Sequence, residues 1–142
     1  MAVMNPLNLE IEIAEPKTGM AKAVLNELIE QLQIFADTGK QHIIDLTSLP
    51  MTSSDKHELE SLLGTGEINI TLSTIGESQI NETAFSGIWW IKHYTPDRKL
   101  ISELIEITDV PAIIKSHPDD IKHAANEIKN IINNDEQEIR YE

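Results

Sequence analysis

Five histidines and no cysteine bound the chemistry open to this chain. Without a thiol, disulfides, thiolate metal centres, iron–sulfur ligation and cysteine nucleophiles are excluded. His117 and His123 lie six residues apart, which does not place them on one helical face as an i, i+4 zinc-ligand pair would be. With Asp119 and Asp120 they still form a candidate site for metal binding or delivery, a divalent ion sitting at a helix start. The same carboxylates complement a helix dipole without any ligand, and that is their commoner use. His57 beside Glu58 reads as part of a solvated face. His42 and His93 fall in strand-like runs, where a satisfied, half-buried imidazole is commoner than a base.

Nucleophile signatures are absent: no G-x-S-x-G, no glycine-rich phosphate loop and no H-E-x-x-H occurs. A serine site can be drawn from Ser86, His93 and Glu82, but seven strand residues would hold Ser86 and His93 roughly 23 Å apart. An uncharacterised enzyme using Glu82 or His93 therefore ranks third, behind a binding role and a metal role. No catalytic residue, cofactor or metal ligand is assigned. What remains is Asn81-Glu82-Thr83-Ala84-Phe85-Ser86-Gly87-Ile88-Trp89-Trp90, which holds both tryptophans and one of the two phenylalanines. It reads either as a core strand with Gly87 at a bulge or close approach, or as a recognition surface anchored by aromatics.

The elements that position these residues belong to one ordinary domain of 142 residues and 16.0 kDa. Twenty-four acidic and 11 basic groups leave a net charge of −13. That opposes a phosphate-neutralising grip on nucleic acid and a polybasic membrane surface alike. No leader-like segment follows Met1 and no apolar run approaches the roughly 18 residues of a membrane span, so a cytoplasmic protein is expected. Isoleucine, which favours pleated half-buried surfaces, occurs 22 times.

Residues 1–18 read as a strand-like arm, from the alternation of Leu7, Leu9, Ile11 and Ile13 with polar neighbours. Residues 19–133 read as a single domain and 134–142 as a frayed acidic tail. Ala21, Val24, Leu25, Leu28, Leu32 and Phe35 form one helical stripe, closed by Gly39. A buried strand is expected over 42–46, then a short helix opened by the T-x-x-D of Thr52 and Asp55, then an alternating strand over 67–73. Two more strands are expected over 82–94 and 100–108, and a last helix carries Ile121, Ala124, Ala125, Ile128, Ile131 and Ile132 on one stripe. The order predicts an α+β two-layer sandwich: a mixed, mostly antiparallel sheet of about four strands with helices on one face. The strand–helix–strand unit over 42–73 is expected to be a parallel crossover.

Parity then sorts the aromatic segment. Phe85, Trp89 and Ile91 form the more apolar set, so Trp89 is expected inward, with Ile88 and Trp90 outward. Ile101, Ile105 and Ile107 take the inward parity of the next strand, leaving Leu100 and Leu104 outward. A partner-binding patch of Ile88, Trp90, Leu100 and Leu104, with Glu82 and Thr83 beside it, is thus expected on the open sheet face. Phe85, Gly87 and Trp89 are the structural part of the motif. A bulge at Gly87 would exchange the two tryptophans.

Glu82-Thr83-Ala84-Phe85-Ser86-Gly87-Ile88-Trp89-Trp90 resembles the E-T-A-[FY]-x-G-[VI]-W-W signature of the HupH or HyaF hydrogenase expression/formation family. Leu62-Leu63-Gly64-Thr65-Gly66-Glu67 resembles its L-L-G-x-G-E segment, and Ile105-Glu106-Ile107-Thr108-Asp109-Val110-Pro111 its I-E-[VI]-x-x-[VI]-P segment. Similar agreement at 26–39, 44–50 and 117–121 extends the resemblance over about 19–128. It implies the family's C-terminal conserved domain, standing without the further N-terminal region of longer members. It also implies an accessory protein of [NiFe] hydrogenase maturation that is not an enzyme. The partners implied are the iron–sulfur small subunit or a thioredoxin-like companion, and a homodimer is compatible with the expected patch.

Overall fold

The computed structural model describes residues 2–4, 10–12 and 15–141, with side chains over 15–136. The chain divides into two compact units, Met1–Pro111 and Ala112–Glu142. In the first, β1 (Ala2–Met4) and β2 (Glu10–Glu12) pair antiparallel as a separate two-stranded sheet. Of the alternating arm, Leu7, Leu9 and Ile13 lie outside the described residues. Helix α1 (Met20–Thr38) follows, burying Ala21, Val24 and Leu28 from the expected stripe. Gly39 ends it in the left-handed region, its N–H donating to the Phe35 carbonyl at 2.8 Å.

After β3 (His42–Asp45) and a 3-10 turn come α2 (Ser53–Leu63), β4 (Asn69–Ser73), β5 (Glu77–Glu82), β6 (Ile88–Tyr94) and β7 (Leu100–Ile107). The last four strands and β3 form one sheet of five, ordered β3-β7-β6-β5-β4, with every neighbour antiparallel. The two-layer α+β arrangement is as the pattern predicted, but two details differ. β3 and β4 lie at opposite edges, so no parallel crossover exists. β5 is an additional strand: Ile80 alone stands among Glu77, Ser78, Gln79, Asn81 and Glu82, too polar a run to declare itself by alternation.

Helices α1 and α2 cover one sheet face. Val24, Leu28, Leu59 and Leu63 pack there against Ile44, Ile88, Trp90, Ile105 and Ile107. Pleating sends Ile80, Trp89 and Ile91 to the opposite face, where they are also buried.

The start of α2 is a junction. Thr52 and Asp55 form the capping box, each side chain accepting from the other's backbone N–H. The fully buried Asp55 carboxylate also accepts from Thr18, at 2.7 Å from the amide and 2.6 Å from the hydroxyl. The Thr52 hydroxyl in turn donates to the Pro16 carbonyl at 2.9 Å. Two segments 37 residues apart, the lead-in to α1 and the first turn of α2, are thereby joined.

In the second unit, a 3-10 turn (Ala112–Ile114) leads to α3 (Pro118–Tyr141), with Pro118, Asp119 and Asp120 in its first turn. The helix continues past 133, so the tail expected over 134–142 is helical as far as Tyr141. Its stripe of Ile121, Ile128, Ile131 and Ile132 is exposed. Among the described residues, no helix is long and apolar enough to cross a membrane.

The hydrogen bonds from Thr18, aided by those from Thr52, hold Asp55 down at about 2, against an ordinary 3.8. A lowered carboxyl pKa stabilises the fold fully above the unfolded value, and that share is lost as pH falls from about 4 towards 2. Asp55→Asn is expected to lower the melting temperature at neutral pH and to shrink the further fall between pH 5 and pH 2. Thermal melts of both proteins across that range check it; an unchanged acid limb would dissociate Asp55 from acid stability.

Candidate functional site

Three segments carrying the family resemblance meet at one corner of the first unit. β5 ends at Glu82 and the chain turns before β6 begins at Ile88. Thr83 closes that turn. Its amide and its hydroxyl both donate to the Ile88 carbonyl, at 3.0 and 2.9 Å, and the hydroxyl oxygen accepts from the Phe85 amide at 3.2 Å. Gly87, at φ +86°, completes the reversal, a conformation costly for any side chain with a Cβ.

The glycine segment after α2 docks on this turn. The Gly66 amide donates to the Glu82 carbonyl at 2.8 Å, and the Ala84 amide donates to the Leu63 carbonyl at 2.9 Å. A Cβ at Gly66 would lie 2.4 Å from the Thr83 carbonyl oxygen, so only glycine permits the approach. From the other side, the Thr108 amide donates to the Gly87 carbonyl at 3.0 Å. The Trp89 indole Nε1 donates to the Thr108 carbonyl at 3.1 Å.

Trp90 has its own partner. Its Nε1 donates to Glu103 Oε2 at 2.8 Å, and Glu103 Oε1 lies 3.3 Å from Lys56 Nζ on α2. The Glu103 amide donates to the Thr47 hydroxyl at 2.9 Å. The buried carboxylate thus has a partner on each oxygen, as such groups require.

The expected open-face patch is not assembled. Trp90 and Ile88 are each only 5% exposed and face the helices, while Trp89, 3% exposed, takes the opposite face. The reason is the turn: Phe85 is not in the strand, so its parity says nothing about Trp89. The register pairs Trp90 with Ile105 and Ile88 with Ile107, placing them on the face those isoleucines share. Leu104 lies half-buried on the other face, and Leu100 is exposed beyond the register shift at His93 and Tyr94. Thr83 is buried as the turn's hub, Glu82 is half-buried beside it, and Phe85 stands half-exposed at the tip.

The fold nevertheless brings Glu82, Thr83 and Trp90 together. They line a hollow of about 90 Å³ with Glu60, Thr65, Asn69, Asn81 and Lys92. Lys92 Nζ lies 3.5 Å from Glu60 Oε1 and 6.0 Å from the centre of the Trp90 ring. Asn69 and Asn81 were invisible to pattern reading because pairing of β4 with β5, and of β5 with β6, sets Asn69, Asn81 and Trp90 in one row.

Four of the five histidines have local partners. His93 Nδ1 shares a hydrogen bond of 2.7 Å with the Ser78 hydroxyl, not Ser86, and His42 Nε2 lies 3.0 Å from Glu27. His117 Nδ1 lies 3.6 Å from Asp119, and His123 Nε2 lies 2.7 Å from Glu127. Among the described residues, no group of three or more metal-ligating side chains converges.

These contacts make the tryptophans and glycines structural. Gly66→Ala is expected to cost about 2 kcal/mol or more through overpacking, and Gly87→Val a similar amount through its strained φ. Trp90→Ala is expected to cost about 3–5 kcal/mol. Denaturant midpoints measure all three; an unaltered midpoint for Gly66→Ala would mean the corner opens freely.

Residues 19–134 match the family model described as HupH hydrogenase expression protein, C-terminal conserved region. The hydrogenase expression/formation protein HupQ of Azotobacter chroococcum is 29% identical over 113 residues, covering 78% of this chain and 40% of HupQ. The hydrogenase-1 operon protein HyaF of Escherichia coli is 30% identical over 90 residues, covering 63% of this chain and 32% of HyaF. The chain therefore spans less than half the length of the curated relatives it matches. The solved structure of hydrogenase expression protein HupH from Thiobacillus denitrificans is 34% identical with a TM-score of 0.81, over 84% of this chain and 99% of that one. With the signature turn, its glycine dock and its Thr108 clasp all inside the matched region, this chain belongs to the HupH hydrogenase expression protein family, through that family's C-terminal conserved region.

Proposed function

We propose that this chain is a non-catalytic binding module of [NiFe] hydrogenase maturation, acting in the cytoplasm. Its partner in this reading is the iron–sulfur small subunit or a thioredoxin-like companion factor. The relatives' names, all hydrogenase expression, formation or operon proteins, support the process. The observation that carries the binding role is the convergence of the signature segments on one corner, with a half-exposed aromatic at its tip.

Phe85 is 50% exposed and Leu62, the penultimate residue of α2, is 51% exposed. The Ala84 amide bound to the Leu63 carbonyl keeps the two segments that carry them adjacent. A rigid turn presenting an aromatic loses little conformational freedom on docking, which is what an interface anchor needs. Glu82 lies on the same corner and remains in the proposed partner surface, whereas Ile88 and Trp90 serve it by holding the turn from beneath.

A tagged chain used as bait in cells expressing a hydrogenase operon is expected to retain a hydrogenase subunit or maturation factor. Phe85→Ala should weaken that retention about tenfold while leaving the thermal melt unchanged. Retention of no hydrogenase-related protein, or full retention by Phe85→Ala, would overturn the role or the surface respectively.

A further inference from the structure

The isoleucine face of α3 stands open to solvent: Ile121, Ile128, Ile131 and Ile132 are 54–60% exposed, and Ala124 and Ala125 are exposed with them. Its positions recur after seven residues, pairing Ile121 with Ile128, Ala124 with Ile131 and Ala125 with Ile132. Such a repeat is the seam along which one helix packs on another. Asp135, seven residues after Ile128, ends it.

The borders of the seam carry opposite charge. At about 100° per residue, Asp120 and Glu127 fall along one side and Lys122 and Lys129 along the other. About a two-fold axis parallel to the helices, the acidic border of each copy meets the basic border of the other. The heights agree, since Asp120 and Lys122, like Glu127 and Lys129, differ by two residues, about 3 Å of rise. An antiparallel pair would instead set acid against acid and base against base. Glu127 already meets His123 at 2.7 Å on the polar side, but a carboxylate has a second oxygen to offer. An anionic lipid surface fits less well, because Asp119, Asp120, Glu127, Asp135 and Glu136 outnumber Lys122 and Lys129. Repulsion between two chains of −13 is screened beyond about 8 Å at physiological ionic strength, so contacts along the seam decide. We propose that α3 is a dimerisation helix, two copies of this chain pairing their α3 helices in parallel and in register along the isoleucine seam. The partner here is a second copy, so the proposal stands apart from the hydrogenase-related partner above.

Sedimentation equilibrium of the full chain, from micromolar to millimolar concentration, is expected to show a reversible monomer–dimer equilibrium approaching about 32 kDa, twice 16.0 kDa. Ile128→Asp should leave a monomer throughout. Should that variant melt the helix, Lys129→Glu keeps a good helix former and should weaken pairing about tenfold. Adding an equal amount of a Glu127→Lys chain to Lys129→Glu should restore it. The cysteine-free chain lets Ile121→Cys report orientation. Parallel copies in register bring the two thiols together, so oxidised glutathione should give a disulfide-linked dimer, whereas Asn126→Cys on the polar side should give none. An antiparallel pair centred on the seam would hold the two 121 positions about 16 Å apart, beyond disulfide reach. A monomer at every concentration, a trimer or larger assembly, or undiminished pairing by Ile128→Asp or Lys129→Glu overturns the assignment. So does failure of the mixed chains to pair, no cross-link at position 121, or equal cross-linking at 121 and 126.

Discussion

A buried carboxylate organises the larger unit. Glu103 lies inside a chain that already carries a net charge of −13, and a charge so placed costs several kcal/mol unless it is paired. Its two oxygens are met from different directions, by the Trp90 indole on β6 and by Lys56 on α2. Its own amide reaches Thr47 in the turn after β3. Strand and helix must therefore arrive together, because losing either leaves the buried charge short of a partner, while the turn takes up the backbone amide of the same residue. This explains why a tryptophan stands at position 90: the ring fills the helix-side core while its nitrogen satisfies the carboxylate.

The same economy separates the core from the corner beside it. Among the described residues, no buried side-chain polar atom lacks a hydrogen-bond partner. Thr83, Trp89 and Thr108 are consumed in holding the turn between β5 and β6. Beside them, Asn69, Asn81 and Glu82 line an open hollow. A fully satisfied scaffold has no alternative partners to relax towards, so it holds the turn in one conformation. Phe85 is offered to solvent by that scaffold rather than by a loose loop.

The second unit follows different physics. α3 is amphipathic, yet its isoleucine stripe is exposed along with the rest of its described side chains. Its order comes from local terms: Pro118 at the start, two aspartates on the N-terminal dipole, and the His123–Glu127 pair four residues apart. The first unit owes its order to contacts between distant segments, of which the Thr18–Asp55 pair is the plainest.

Much of this was legible in the residues alone, wherever the determining interaction is local. The stripe of α1, its glycine stop, the Thr52–Asp55 capping box and the alternation of β4 all follow from spacings of two to four residues. The two-layer class and the signature motif followed from the same local order. What the sequence could not determine was set by register between segments far apart. β5 became a strand because its backbone completes two ladders, although Ile80 is its only large apolar residue. Trp90 turned inward because β7 pairs it with Ile105, and a one-residue change of parity, made in the turn at Gly87, exchanges every side chain between faces. The hollow has the same origin: Asn69, Asn81 and Trp90 form one row only once three strands align, and tertiary pairing alone decides that.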